Sequence, residues 1–129
     1  MTVIPIRWYI KKDKEKDFIF HWENVMKVSK GKGLFRETLC KTNPSVEDEK
    51  FHTFNLENPF YTTFINVGMW ESVDAFDNAV SAPYIRKPIT SDGEQFLHIT
   101  EFEFKIRERI VLEEISSRGI DLPKAKSEE

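Results

Sequence analysis

The sequence contains a single cysteine, Cys40, among its 129 residues. One thiol cannot close an internal disulfide, and no second cysteine completes a CxxC metal-binding or redox pair. Disulfide-stabilised folds and dithiol redox proteins are therefore excluded, and a reducing compartment is the expected environment.

Long apolar runs are also missing. No uncharged stretch approaches the roughly 20 residues that a membrane span needs. The apolar first ten residues are interrupted by Pro5 and Arg7, and the basic residues follow them, whereas a signal peptide would place its basic residues first. We therefore expect a cytoplasmic protein that makes no contact with a membrane.

Neither sign of charge is in large excess, because 19 Lys and Arg stand against 22 Asp and Glu, for a net charge of -3. Nucleic-acid binding usually needs a basic excess, so no nucleic-acid partner is expected. Gly31 and Gly33 follow a predicted helix rather than a strand, which is the wrong order for a phosphate-binding loop. No set of His, Cys, Asp and Glu has a metal-ligand spacing. The sequence thus predicts neither a metal nor a cofactor.

What the chain does contain is enough apolar material for one core. Hydrophobic residues make up 40% of the sequence, which is sufficient for a single domain of this length. We place that domain at residues 1–112. Residues 113–129 form a C-terminal extension, and we expect its charged end, after Pro123, to be frayed.

Hydrophobic periodicity predicts four strands and two helices. The strands fall at residues 3–10, 34–42, 61–70 and 96–110, and the helices at 14–30 and 73–83. Gly31 and Gly33 end the first helix by accepting a left-handed backbone, and Ser72 caps the second. The connection 43–60 is long for a compact domain, and a short extra strand or flap at 51–56 would account for part of it.

The order strand, helix, strand, strand, helix, strand predicts an α+β protein. It is the ferredoxin-like βαββαβ arrangement, in which a four-stranded antiparallel sheet carries two helices on one face. The third strand is apolar on both sides, with Ile65 and Val67 opposing Phe64 and Trp70, and an open sheet would leave one side in water. A second copy packed sheet to sheet would cover that side, so we predict a homodimer. Four apolar residues after the last strand could reach across onto that copy: Ile110, Val111, Leu112 and Ile115.

The most informative stretch joins the third strand to the second helix. Asn66, Gly68 and Trp70 share one face of the strand, so the glycine leaves space between an amide and an indole. Such a pocket would suit an aromatic molecule that carries oxygen, because Asn66 can donate and accept hydrogen bonds and Trp70 offers a flat wall with one N–H. The alternative is purely structural, with Trp70 in the core, Gly68 at a bulge and Asn66 bonded to a loop. The residue types alone leave both interpretations open.

This stretch resembles the antibiotic biosynthesis monooxygenase family, which belongs to the dimeric α+β barrel superfamily. The resemblance extends over roughly residues 3–108 in element order, and its sequence-specific part is short. That part reads Asn66-x-Gly68-x-Trp70-Glu71-Ser72-x-Asp74-Ala75-Phe76. The resemblance implies a homodimeric barrel and, in the oxygenase branch, oxidation of anthrone- or quinol-type aromatics by O2 with neither metal nor flavin. In that branch an Asn and a Trp at the spacing of Asn66 and Trp70 line the substrate pocket.

The chemistry of such a pocket assigns roles to individual residues. A phenol or anthrone must lose a proton before it can pass an electron to O2, so the site must stabilise a developing oxyanion. Asn66 Nδ2 and Trp70 Nε1 would be the donors, and His98 would be the base. Three aromatic residues on the sheet-facing sides of the helices are expected in the core, and would be pocket wall where they surround Gly68: Phe18, Trp22 and Phe76.

Two other functions remain as alternatives. A non-catalytic dimeric barrel could bind a small apolar ligand or support a partner protein. The haem-degrading branch of the family is less favoured, because its proximal histidine would fall at Val80 and its first-strand asparagine near Arg7 and Trp8. Without an axial ligand, iron has no anchor at those positions.

Overall fold

The computed structural model describes residues 1–43, 53–81 and 100–119, which form one antiparallel sheet and the helices packed on it. The strands are β1 (Thr2–Lys11), β2 (Leu34–Lys41), β3 (Tyr61–Trp70), β4 (Glu103–Arg109) and β5 (Leu112–Glu113). The helices are α1 (Glu15–Asn24), preceded by a 3-10 turn (Lys12–Lys14), and α2 (Val73–Phe76), continued by a π-helical turn (Asp77–Ser81). The chain is therefore α+β, as the sequence predicts.

The strand order in the sheet is β2-β3-β1-β4, and every neighbouring pair is antiparallel. The short β5 pairs with the start of β1, on the same edge that β4 occupies further along. This order is consistent with the ferredoxin-like arrangement, to which β5 adds a strand that the periodicity did not predict. Within the described ranges, no helix is both long and apolar enough to cross a membrane.

The register between β1 and β3 decides which side chains face the helices. Gly68 is paired with Ile4 and Asn66 with Ile6, so the even-numbered residues of both strands share one face. Trp70 lies on the same face, which α1 and α2 cover. The buried apolar cluster on this face comprises Ile4, Ile6, Trp8, Ile10, Phe18, Phe64, Trp70, Phe76 and Phe102.

Helix α1 is shorter than the apolar periodicity predicts, since it ends at Asn24 rather than near residue 30. The carbonyl of His21 accepts hydrogen bonds from the amides of both Val25 and Met26, at 2.8 and 3.0 Å, which turns the chain out of the helical path. Gly31 and Gly33 do adopt a left-handed backbone, with φ of 78° and 88°. They belong to the turn that leads into β2, not to the end of the helix.

The last long strand also differs from its prediction in extent and in facing. β4 begins at Glu103, and residues 82–99, which include His98, lie outside the described residues. In the sequence Phe102, Phe104 and Ile106 alternate with Glu103, Lys105 and Arg107, which predicts one apolar and one polar face. Instead Glu103 is buried, while Phe104 is 45% and Ile106 37% exposed. The pairing of β4 with β1 shifts in register between Arg7 and Ile10, so the faces of β4 do not follow a simple alternation. Hydrogen bonds described below satisfy the Glu103 carboxylate inside the fold.

The connection before β3 falls partly outside the described residues, because residues 44–52 are not among them. Residues 53–60 are described and contain no strand, so the predicted extra strand at 51–56 does not form in that part. Phe54 is 89% exposed there. In the C-terminal extension, residues 113–119 are exposed, and the predicted fraying after Pro123 lies outside the described ranges.

Candidate functional site

Asn66 is buried at the middle of β3, and two hydrogen bonds fix the orientation of its amide. Its Oδ1 accepts a hydrogen bond from Trp8 Nε1 at 2.6 Å, and its Nδ2 donates to Glu37 Oε2 at 3.1 Å. Trp8 stands on β1 two positions beyond the residue paired with Asn66, and Glu37 stands on β2 beside Gly68. The three neighbouring strands β2, β3 and β1 thus each contribute one polar group to a single chain of hydrogen bonds. Such a chain holds its members in one geometry.

The Glu37 carboxyl is unusual because it lies on the covered side of the sheet. Burial raises its pKa from an ordinary 4.5 to about 7, since a carboxylate loses its hydration there. Among the described residues, no Lys, Arg or His forms an ion pair with it. Glu37 is therefore a carboxyl group that exchanges its proton near neutral pH, which is a property of acid–base residues.

The space beside Gly68 is occupied by the indole of Trp70. A Cβ at residue 68 would lie 2.5 Å from Trp70 Nε1 and 3.2 Å from its Cδ1, so only glycine allows this packing. The indole is fully buried and meets the Phe76 ring edge to face, at 5.3 Å between centroids. The prediction of an empty pocket between Asn66 and Trp70 is therefore wrong, because the tryptophan folds back over the glycine that was expected to leave room.

An open cleft of about 530 Å³ lies instead between α1 and β2. It is lined by Ile19, Trp22, Glu23, Phe64 and residues 36–41. Trp22 and Phe64 give it aromatic walls, and the Glu37 carboxyl gives it an acidic group. Asn66 does not line the cleft, and it acts on the cleft only through its hydrogen bond to Glu37. A cleft with aromatic walls, a carboxyl group turned inward and charged side chains at its exposed margin is suited to a small aromatic ligand that carries a polar group.

The structure places the site residues predicted from the sequence in different surroundings. Trp22 lines the cleft, whereas Phe18 is a core residue that packs on Trp8 and Phe64, at 5.0 and 5.2 Å between centroids. Phe76 is likewise core, against Trp70. Trp70 Nε1 is buried and has no hydrogen-bond partner among the described residues. The predicted base, His98, lies outside them, so its place relative to Asn66 stays a prediction.

Sequence reasoning missed Glu37 and Trp8 as partners of Asn66. The sequence does carry a signal for Glu37, because a period of two places it on the same side of β2 as Phe35 and Leu39 and so puts a carboxylate on an apolar side. For Trp8 no such signal exists. An indole on the apolar face of β1 is expected in any core, and only the register shows that its N–H reaches Asn66.

A second inward carboxylate, Glu103, is a structural group. It pairs with Arg107 Nη1 at 2.6 Å and accepts hydrogen bonds from the amide and hydroxyl of Thr100 at 3.0 and 3.1 Å. The Arg107 guanidinium lies over the Trp8 ring, 5.3 Å from its centroid. These contacts compensate the buried charge of Glu103 and leave it no acid–base role.

Within the same described ranges, no three His, Cys, Asp or Glu residues are grouped so that they could hold a metal ion. Comparison with models of protein families and with curated proteins gives no match to this sequence. The similarity of residues 66–76 to the antibiotic biosynthesis monooxygenases therefore stays a prediction from those residues.

Proposed function

We propose that the protein is a cofactor-independent oxygenase that oxidises a small aromatic or quinol-like molecule with O2, bound in the cleft between α1 and β2. The observation that carries the proposal is the buried Asn66 amide, fixed between Trp8 and a titrating carboxyl that opens into an aromatic-walled cleft. An oxygenase without cofactor needs these two elements, an apolar wall for the ring and a group that takes up the substrate proton.

For an anthrone the overall reaction balances without any further reagent. The methylene carbon loses two hydrogens and gains one oxygen atom of O2, and the second oxygen atom leaves with those hydrogens as water. The carbon gives up four electrons, and the two oxygen atoms take up four. The protein has to remove the first proton and hold the resulting anion beside O2.

Non-catalytic binding of a small apolar ligand is the second candidate, and one observation favours it. The Trp70 indole fills the space beside Gly68, so Trp70 Nε1 does not reach the cleft as an oxyanion donor. A cleft without that donor would still bind an aromatic ring between Trp22 and Phe64. The two candidates differ in whether bound ligand consumes O2.

We also propose that two copies associate through the open face of the sheet, as in dimeric α+β barrels. On this face the pairs Pro5–Val67 and Val3–Met69 are only half-buried in the single chain. Next to them, the residues from Ile110 to the end of the described chain are all exposed. A contiguous apolar surface of this kind is typical of a subunit interface.

The oxygenase proposal is tested by O2 uptake with a panel of anthrones and hydroquinones, before and after treatment with a chelator. We expect uptake that the chelator does not reduce and that Asn66→Ala lowers about 100-fold, which is the usual cost of losing a group that positions charge in an active site. Asn55→Ala, in the exposed loop before β3, is the matched control.

Near-ultraviolet circular dichroism of Asn66→Ala checks that the variant is folded. Trp22→Leu, which removes one aromatic wall, is expected to raise KM more than it lowers kcat. Background uptake by the native protein across the whole panel would overturn the oxygenase proposal. Saturable binding of the same compounds would then support the second candidate.

A further inference from the structure

Glu37 is the one inward-facing carboxyl, among the residues described, that no structural role explains. Glu103 has Arg107 and Thr100 as partners, whereas Glu37 receives a hydrogen bond from the neutral amide of Asn66. A buried carboxylate without a cation destabilises the folded chain whenever it is charged. A group that carries this cost and also opens into a cleft is a candidate for function rather than for stability.

The surroundings of Glu37 favour transfer of a proton at the inner end of the cleft. Its Oε2 lies 3.5 Å from the position that a Cβ would take at Gly68, and Trp70 Nε1 lies 2.5 Å from that same position. The indole N–H is buried and unpartnered in the described part of the chain. Two polar groups with unused hydrogen-bonding capacity therefore adjoin a residue that has no side chain.

The other charged groups around the cleft are further out. Glu23 on α1 and Arg36 and Lys41 on β2 line it, and β3 contributes no charged side chain to its lining. Lys41 pairs with Glu15 at 3.5 Å, and its side chain is about half exposed. These exposed groups are screened by water, so desolvation dominates the ionisation of Glu37.

We propose that Glu37 is the catalytic base of this cleft, and that the ligand is an aromatic carbon acid whose C–H is activated by a carbonyl conjugated with it through the aromatic rings. In the step, the C–H bond breaks, its electron pair stays on the ligand as an enolate, and the proton forms an O–H bond on the Glu37 carboxylate. The negative charge passes from the protein to the ligand, so the net charge of the site does not change. Asn66 is a positioning residue that orients the carboxylate through its Nδ2.

This inference rests on the proposed binding of an aromatic molecule in the cleft, but it does not need O2. Burial raises the pKa of Glu37 to about 7, so about half of the molecules carry the basic form at neutral pH. When the pKa of a base lies near the working pH, a large fraction of the base is deprotonated and it still binds the substrate proton strongly enough to remove it. A phenol exchanges its O–H proton rapidly with water, whereas removal of a proton from carbon is slow and depends on a positioned base.

The test is hydrogen–deuterium exchange at the methylene of anthrone, followed by NMR in D2O under anaerobic conditions. The native protein is expected to accelerate exchange over buffer, with a rate that rises with pH and is half-maximal at about pH 7. Glu37→Gln keeps the shape and the hydrogen-bonding capacity of the side chain but cannot take up the proton. It is expected to lose about 100-fold or more of the acceleration, together with the pH dependence.

Glu57→Gln, in the exposed loop before β3, is the matched control and should exchange like the native protein. Asn66→Ala should slow exchange less than Glu37→Gln, because it misplaces the base without removing it. Equal exchange by the native protein and Glu37→Gln, or no acceleration over buffer, would overturn the assignment of Glu37. Exchange that depends on Glu37 but is not accompanied by O2 uptake would support Glu37 as the base and overturn only the oxygenase proposal. O2 uptake that Glu37→Gln leaves unchanged would support the oxygenase proposal and overturn Glu37 as the base.

Discussion

At the scale of single residues, two glutamates on the covered face of the sheet have opposite electrostatic situations. The Glu103 carboxylate forms an ion pair with Arg107 Nη1 at 2.6 Å. Glu37 receives a hydrogen bond from the neutral amide of Asn66, and desolvation raises its pKa to about 7. The difference comes from the partner and not from burial alone, since both carboxyls are turned inward. Stability should therefore depend on pH through Glu37.

The first prediction concerns this pH dependence. Because the folded chain holds the Glu37 proton more tightly than the unfolded chain, the stabilising contribution is fully present below about pH 4.5 and is lost as the pH rises to about 7. Glu37→Gln cannot lose a proton, so it should gain stability relative to the native protein across this window, by up to about 3 kcal/mol. Urea unfolding at a series of pH values measures the difference.

Glu57→Gln should follow the native curve at every pH, because that side chain is exposed in both states. Parallel curves for the native protein and Glu37→Gln would show that Glu37 has an ordinary pKa in the folded chain. They would also remove the main electrostatic support for Glu37 as a base.

The arrangement around Asn66 shows what single residues reveal before a structure is known. The period of two along β3 is enough to place Asn66, Gly68 and Trp70 on one face, since that periodicity follows from backbone geometry. The direction of the Trp70 indole depends on side-chain torsions and on what packs above it, here Phe76. The absence of a side chain at Gly68 allows a close approach, and the approaching group is the indole of the same strand and not a ligand.

At the scale of elements, helix α1 forms one wall of the cleft and also closes the core. Its inward residue Phe18 is 1% exposed and contacts three aromatic rings of the sheet layer, whereas its outward neighbour Phe20 is 66% exposed. Trp22, one turn after Phe18, lines the cleft. One helical face thus supplies a packing residue and a cleft residue in succession, and any loss of packing at Phe18 displaces the cleft wall.

The second prediction compares the two phenylalanines of α1. Phe18→Ala should destabilise the protein by about 3–5 kcal/mol, because it leaves a cavity in the aromatic cluster. Phe20→Ala removes the same atoms from an exposed position and should stay within about 0.5 kcal/mol of the native protein. Thermal or urea unfolding provides both values. A similar loss at both sites would mean that α1 does not pack on the sheet in the orientation described here.

Element order was more predictable than element length. The alternation and the three-to-four spacing gave the succession of strands and helices, because each reports the side on which a segment is buried. The end of α1 depends on the His21 carbonyl taking two amide donors, and β5 depends on pairing with the distant start of β1. The first is a local backbone arrangement and the second a tertiary pairing, and the apolar periodicity reports neither of them.

At the scale of the whole molecule, the sheet has one covered and one open face. The open face is not a bare apolar surface, since Arg7 pairs with Glu108 at 3.2 Å and Lys105 Nζ lies 4.2 Å from the centre of the Tyr9 ring. Polar groups at one end and the Val3–Met69 and Pro5–Val67 pairs at the other divide it into two regions. The apolar region adjoins β5, so the surface available to a second copy is continuous with the segment after β4.

The third prediction concerns that surface. Ile110 is 60% and Leu112 46% exposed, and if a second copy covers them, Ile110→Ser together with Leu112→Ser should weaken the dimer. Losing the burial of two large apolar side chains corresponds to at least about a 100-fold rise in the dissociation constant. Light scattering after size exclusion, over a range of concentrations, should give a mass of twice 15.2 kDa for the native protein and a lower mass for the double variant.

Phe20→Ser, at 66% exposure on the opposite side of the sheet, is the control and should remain dimeric. A native mass of 15.2 kDa at every concentration would contradict the dimer, and an unchanged double variant would exclude this segment from its interface.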